Sequence, residues 1–121
     1  MSIEVWFRGR LEFADDDAVD AANEELEDEG CNDTDDNEIK DDLKWSGTVL
    51  TIDSRGSMPS SCYDISAMVL SIYARHAKSG EMLAVDIENG VGERYPAGSD
   101  GGDELEDDEV DELREEYGWE A

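Results

Sequence analysis

Near its N-terminus the chain reads SIEVWFRGRLEF, which is residues 2–13. Apolar side chains recur at every second position over much of this stretch, which is the periodicity of a strand with one buried face. The side chains that we expect to point inward are Ile3, Val5, Phe7, Leu11 and Phe13. The opposite face is expected to carry Trp6 and the charged residues Glu4, Arg8, Arg10 and Glu12.

An aromatic ring flanked by arginines on an open sheet is how RNA-recognition domains stack bases. Trp6, Arg8 and Arg10 have this character. However, residues 8–13 lack the aromatic pattern of those domains and lie on the wrong strand. We therefore expect the arginines to pair with Glu4, Glu12 or acidic helices elsewhere in the chain.

A helix is predicted next, because Asp15 can accept hydrogen bonds from the free backbone N–H groups of a helix start. Val19, Ala22 and Leu26 follow at helical spacing, and Gly30 is suited to end the helix. Residues 31–38 read CNDTDDNE, which is typical of a loop.

A hairpin is predicted from strands at Ile39–Trp45 and Thr48–Ser54, joined by a tight turn at Ser46-Gly47. A loop is expected at Arg55–Ser60, which contains Gly and Pro.

The longest apolar segment predicts a buried helix over Tyr63–Lys78. Ser61 and Asp64 resemble a capping box at its start, and Gly80 is expected to end it. The side chains expected to point into the core are Ile65, Met68, Val69, Ile72 and Tyr73.

The C-terminal third predicts a strand at Met82–Glu88, a turn at Asn89-Gly90 and a short edge strand at Glu93-Arg94-Tyr95. Pro96–Gly102 reads as a flexible joint before a final helix, Asp103–Tyr117. A narrow apolar stripe should dock this helix on a surface, and it consists of Leu105, Val110, Leu113 and Tyr117.

These elements follow the order β-α-β-β-α-β, which is typical of an α+β, ferredoxin-like sandwich: an antiparallel sheet with two helices on one face. A differently connected α+β sandwich is the competing interpretation. We expect one domain at residues 1–96 with an acidic insertion at 14–42. Residues 97–121 would add the joint and an acidic C-terminal helix.

The net charge of −26 is unevenly distributed. Residues 1–13 and 43–96 together carry a net charge of −1, whereas residues 14–42 carry −14 and residues 97–121 carry −11. A chain this acidic is repelled by nucleic acid and anionic lipid, which argues against direct nucleic-acid binding. No apolar stretch approaches the length of a membrane span, and no secretory signal is visible, so we expect a cytoplasmic protein.

The sequence offers little for catalysis, and we expect neither an enzyme nor a cofactor. His76, the only histidine, is interpreted as a partly exposed residue at a helix end. Asp33, Asp35 and Asn37 match the start of a calcium loop, but Glu38 and Lys44 occupy positions that require Gly and Glu, so no metal site is predicted. Cys31 and Cys62 are expected to be free thiols.

The segregated charge favours a binding protein whose acidic segments occupy a basic surface of a partner, such as a nucleic-acid-binding protein, a nuclease or a toxin. The alternative hypothesis is that the acidity is an adaptation to a high-salt environment, since proteins of salt-accumulating organisms also carry many acidic residues and little lysine. The sequence leaves the oligomeric state open, with a homodimer through an open sheet edge as one option. The candidate partner-binding residues are Asp16, Asp17, Asp20, Glu24, Glu27, Asp28, Asp103, Glu104, Asp107, Asp108, Asp111, Glu112 and Glu115.

Overall fold

A computed structural model of the chain describes residues 2–29, 39, 42–99 and 101–119. Within these ranges the protein is an α+β fold with a six-stranded antiparallel sheet and three helices. The strands are β1 (Ser2–Glu12), β2 (Lys44–Ser46), β3 (Val49–Pro59), β4 (Ser79–Asp86), β5 (Val91–Pro96) and β6 (Asp103–Glu104). The helices are α1 (Asp16–Asp28), α2 (Ser60–His76) and α3 (Asp107–Tyr117).

The sheet has the order β2-β3-β1-β4-β5-β6, and every neighbouring pair is antiparallel. Strand β1 lies inside the sheet, paired with β3 over its whole length and with β4 from Val5 to Glu12. The predicted N-terminal strand is therefore confirmed. Its alternating pattern distributes side chains to both faces of a sheet that is covered on both sides.

The main core lies between the sheet and helices α1 and α2. Val5, Phe7 and Leu11 of β1 pack there with Ala22 and Leu26 of α1 and with the apolar face of α2. Asp15 begins α1 as predicted, because its Oδ1 accepts a hydrogen bond from the backbone N–H of Ala18 at 2.9 Å.

A second core lies on the opposite face of the sheet, beneath α3. Trp6, Val85 and Ile87 pack there against Leu105 and Val110. Trp6 was expected on the outer face of its strand, yet it is only 1 % exposed because α3 covers that face. The predicted apolar stripe of the acidic helix is confirmed, since Leu113 and Tyr117 also pack in this cluster.

The hairpin around residue 47 differs from the prediction in its bounds. Strand β2 is only Lys44–Ser46 rather than Ile39–Trp45, and Ser46 pairs with Val49 so that Gly47 and Thr48 form the turn. The turn therefore begins one residue later than expected. Gly47 has φ +61°, a left-handed conformation that glycine adopts without strain.

The predicted loop at Arg55–Ser60 is wrong, because strand β3 runs unbroken from Val49 to Pro59. Its second half pairs with Ser2–Val5 of β1. This pairing makes the segment a strand although its polar sequence has no strand periodicity. Pro59 ends the strand, since proline lacks the N–H group that a continuing ladder requires.

The predicted start and end of the second helix also need correction. Helix α2 begins at Ser60 directly after Pro59, and no side chain caps it, so the Ser61 and Asp64 capping box does not form. Gly80 lies inside β4 rather than at the helix end. Met68, predicted to point inward, is 39 % exposed.

The C-terminal region contains a strand that was not predicted. Glu93-Arg94-Tyr95 belongs to β5, which is not an edge strand because β6 pairs beside it. The final helix begins at Asp107 rather than Asp103. Leu105 explains the later start: it is buried, and its N–H donates to the carbonyl oxygen of Gly92 at 2.9 Å, holding the chain against the sheet before it turns into α3.

Three expectations concern residues outside the described part of the chain: the helix end at Gly30, the loop at residues 31–38 with its failed calcium-loop match, and the state of Cys31. Cys62 is buried and has a free thiol. Among the described residues, no helix is long and apolar enough to cross a membrane.

Candidate functional site

Helix α1 presents a row of carboxylates along its outer side. Asp16, Asp20, Glu24 and Asp28 recur at every fourth residue and are all exposed. Residues four apart lie above one another on a helix, about 6 Å apart along the axis. Two further exposed candidates, Asp17 and Glu27, flank this row. Helix α1 therefore presents a strip of exposed negative charge on the side away from the core.

Helix α3 presents a second strip. Asp107, Asp111 and Glu115 form one row and Asp108 and Glu112 form another, and all five are exposed. The remaining candidates, Asp103 and Glu104, are exposed on β6 at the edge of the sheet. We call these seven residues the α3–β6 surface, and the six candidates on α1 the α1 surface.

The carboxylates of α1 and those of α3 lie on opposite sides of the sheet, because the two helices pack on its opposite faces. The sequence left open whether the two segments would form one acidic face. They do not: the six-stranded sheet separates the α1 surface from α3.

Basic side chains in the described part of the chain are held mainly by internal contacts rather than by the candidate residues. Arg94 donates to Glu81 and Glu109, and Arg114 donates to the carbonyl oxygens of Ile87 and Glu88 at 2.7 and 2.8 Å. The other ion pairs of this kind are Arg8 with Glu116, Arg55 with Asp53, Arg75 with Glu25, and Lys78 with Glu12. Among the described residues, none of the thirteen candidate carboxylates forms an ion pair.

The arginines beside Trp6 hold α3 to the sheet instead of forming an open binding face. The guanidinium groups of Arg8 and Arg55 lie 4.6 and 4.2 Å from the centre of the Trp6 ring. Arg8 also pairs with Glu116 of α3 at 3.0 Å, one of the alternatives that the sequence left open. The Trp6 indole donates to Asp53 at 2.7 Å, which satisfies its N–H.

Tyr117 anchors the end of α3 to the N-terminal strand β1 through a hydrogen bond. Its hydroxyl donates to Glu4 at 2.6 Å, and the hydroxyl of Ser57 donates to the same carboxylate. These two hydrogen bonds hold the pKa of Glu4 below its ordinary value. Burial, together with the bond to Glu4, raises the pKa of Tyr117 to about 12.

A groove that the sequence analysis missed lies between α2 and the β5–β6 edge of the sheet. It consists of two adjoining cavities of about 330 and 250 Å³ that share Tyr63, Glu93 and Gly102 in their walls. Asp64 lines the first cavity and Glu104 the second. Sequence periodicity gave no signal for this groove, because its walls come from one helix and two strands that are brought together by the fold.

Among the residues that the structure describes, the walls of the groove carry carboxylates and no basic side chain. Glu93 and Glu104 lie directly opposite each other across β5 and β6, an arrangement that is destabilising for like charges. The Tyr95 hydroxyl donates to Glu93 at 2.9 Å. Burial, and secondarily nearby carboxylates, raises the pKa of Tyr63 and Tyr95 well above the ordinary value, so both phenols stay neutral.

His76 lies at the end of α2, partly exposed, as expected. Its Nε2 is 2.9 Å from Glu25 Oε1, and Arg75 donates to the other oxygen of the same carboxylate. The bond to His76 is the main cause that holds the pKa of Glu25 below its ordinary value. This cluster joins α1 to α2. Over the described residues, no group of three or more His, Cys, Asp or Glu side chains is arranged to hold a metal ion.

Comparisons of the chain with protein-family models, with curated proteins and with solved structures found no match.

Proposed function

We propose that this protein is a non-enzymatic binding protein whose acidic surface occupies a basic surface of a partner protein. One observation carries the proposal: the thirteen candidate carboxylates are exposed and lack ion-pair partners within the described residues, whereas most basic side chains are engaged in internal contacts. Electrostatic repulsion among these carboxylates is relieved when a cationic partner binds.

We assign the principal contact to the α3–β6 surface. Its five helical carboxylates lie within residues 107–115, a length of about 12 Å. This charge density approaches that of duplex DNA, which carries one charge per ~1.7 Å. Because the α1 surface lies on the other side of the sheet, a single basic face engages one surface at a time.

The proposed mechanism is electrostatic steering followed by competition. Complementary charge accelerates encounter, and the bound acidic helix then excludes nucleic acid from the partner. Proteins that work in this way include nucleic-acid mimics, anti-restriction and anti-CRISPR inhibitors, immunity proteins against cationic nucleases, and chaperones of histone-like proteins. We propose a cytoplasmic role of this class.

We also infer that β1 to β4 with α1 and α2 form a ferredoxin-like unit. The antiparallel order β2-β3-β1-β4 and the location of both helices on one face support this inference. The strands β5 and β6 and the helix α3 would then be additions that carry the proposed interface.

The proposal is tested by titrating the protein against a panel of purified basic nucleic-acid-binding proteins, including cationic nucleases, at about 50 and 200 mM salt. We expect at least one saturable partner whose affinity falls tenfold or more at the higher salt, and whose bound DNA is displaced by this protein. A panel without any salt-sensitive partner would contradict the proposal.

The second candidate is environmental adaptation to high salt, and the location of acidic surfaces on both sides of the sheet favours it. On this hypothesis the protein needs molar KCl to screen its self-repulsion, since the Debye length is about 3 Å at 1 M. Circular dichroism at about 0.1 and 1 M KCl separates the two candidates. Folding only at the higher concentration would favour adaptation, and full folding at the lower one would remove its main support.

A further inference from the structure

The groove between α2 and the β5–β6 edge combines apolar walls with carboxylates. Met68 and Val91, which are 39 % and 49 % exposed, contribute to its walls. Tyr63 and Tyr95 line the same groove, as do the acidic residues Asp64, Glu93 and Glu104.

We propose that this groove receives an arginine side chain of the basic partner. The inference rests on the proposed function and deepens it, because it assigns a specific recognition pocket beside the less specific charge of α3. Glu104 belongs both to the groove and to the α3–β6 surface, so the two adjoin at the edge strand β6.

The chemistry of the walls matches the two parts of an arginine side chain. Its aliphatic stem can lie along Met68 and Val91, as long basic side chains do on apolar surfaces. Its guanidinium group is planar, stacks on tyrosine rings and binds carboxylates through several N–H donors.

The opposed carboxylates of Glu93 and Glu104 supply the charge complementarity. Like charges directly opposite on neighbouring strands destabilise the sheet, and within the described ranges no basic side chain lines the groove to relieve them. Arg94 lies next to Glu93 in sequence, but it donates to Glu109 on the α3 side of the sheet. A guanidinium group from a partner would neutralise the pair.

A metal ion is a poorer occupant. No three acidic, histidine or cysteine side chains in the described ranges lie in an arrangement that could hold one. A guanidinium group, which is an extended cation with several donors, does not need the converging ligands that a metal ion needs.

The test uses the small probe N-acetyl-arginine amide, so that it does not depend on the identity of the partner. The isotopically labelled full chain is titrated with this probe, and with the neutral isostere N-acetyl-citrulline amide, while NMR shifts are recorded. The groove variant is D64N/E93Q. The matched control is E29Q/E88Q, which also removes two charges, but from exposed positions outside the groove and outside both acidic surfaces.

We expect saturable shifts at the Met68 methyl and at the Gly92 and Gly102 amides with the arginine probe. The groove variant should lose tenfold or more in affinity, the control should stay within twofold, and the citrulline probe should not bind. Equal binding of citrulline, equal effects of the two variants, or shifts spread over α1 and α3 without groove saturation would each overturn the inference. Any of these results would leave the salt-sensitive partner test of the proposed function unaffected.

Discussion

At the scale of single residues, Glu25 joins the two helices of the main core. It accepts hydrogen bonds from Arg75 and His76, both on α2, and its pKa is held below the ordinary value of 4.5. A carboxyl group whose pKa is lowered by folding stabilises the native state above its ordinary pKa. That contribution disappears as the pH falls through the lowered pKa.

We therefore expect E25Q to lower the free energy of unfolding by up to about 1 kcal/mol at pH 7. The deficit should shrink as the pH falls below 4.5, because protonation then removes the same charge from the unmodified protein. Urea denaturation across this pH range measures the effect. The matched control is E24Q, an exposed neighbour without an ion pair, and an equal deficit in both variants would refute the assigned role of Glu25.

Gly9 is a second residue whose role is steric. Its φ is +151°, and an added Cβ would lie 2.4 Å from the carbonyl oxygen of Glu81 and 2.7 Å from the Cα of Met82. The neighbouring backbone belongs to the interior strand β4, which cannot move aside cheaply.

We expect G9A to lower the free energy of unfolding by about 2 kcal/mol or more, through strain and steric overlap together. The control G47A also places alanine at positive φ, but with no atom within 4 Å of the new Cβ. G47A should lower the free energy of unfolding by about 1 kcal/mol. Thermal or urea unfolding compares the two, and a G9A protein as stable as G47A would contradict the close approach of β1 and β4.

Among the elements, α3 is an acidic helix that is fixed to the sheet by its few non-acidic side chains and by the ion pairs of Glu109 and Glu116. Arg114 donates to two carbonyl oxygens beyond the end of β4, and Gly90 lies so close that an added Cβ would be 3.2 Å from the guanidinium group. Val110 and Leu113 pack on the second core. The anchoring side chains face the sheet, which leaves the five candidate carboxylates of α3 exposed.

We expect R114Q to lower the free energy of unfolding by about 1–2 kcal/mol, because two carbonyl oxygens lose a charged donor. Amide hydrogen exchange should accelerate in α3 more than in α2. The control R10Q removes the same charge from an exposed position on β1. If R10Q accelerated exchange in α3 equally, the effect would be one of overall charge rather than of this anchor.

The elements that the sequence predicted well are those with a clear apolar period. β1, α1, α2 and the docking stripe of α3 were predicted because Phe7, Leu26, Val69 and Val110 recur at strand or helix spacing. The second half of β3 was missed, since residues 54–57 read SRGS and have no apolar alternation. Strand β6 was missed because two acidic residues carry no strand signal, and only pairing with β5 makes them a strand.

The candidate residues were predictable from composition, but their arrangement was not. Local charge runs identified the exposed carboxylates, whereas the side of the sheet on which α3 packs is fixed by contacts between residues far apart in the chain, such as Tyr117 with Glu4. The groove was unpredictable for the same reason, since Asp64, Glu93 and Glu104 meet only in the folded protein.

The molecule as a whole has a net charge of −26 and a sheet with a hydrophobic core on each face. Most basic residues in the described part of the chain form internal contacts, and helices α1 and α3 present rows of exposed carboxylates on opposite sides of the sheet. We propose that the α3–β6 surface, and not the overall acidity of the chain, makes the contact with a basic partner.

The most direct measurement compares two four-charge variants against a basic partner identified in the titration panel. One variant, D107N/D111N/E112Q/E115Q, neutralises α3. The other, D16N/D20N/E24Q/D28N, neutralises the α1 row and gives the same net charge. We predict that the α3 variant loses tenfold or more in affinity and that the α1 variant stays within threefold. Equal losses, or a larger loss in the α1 variant, would contradict the account.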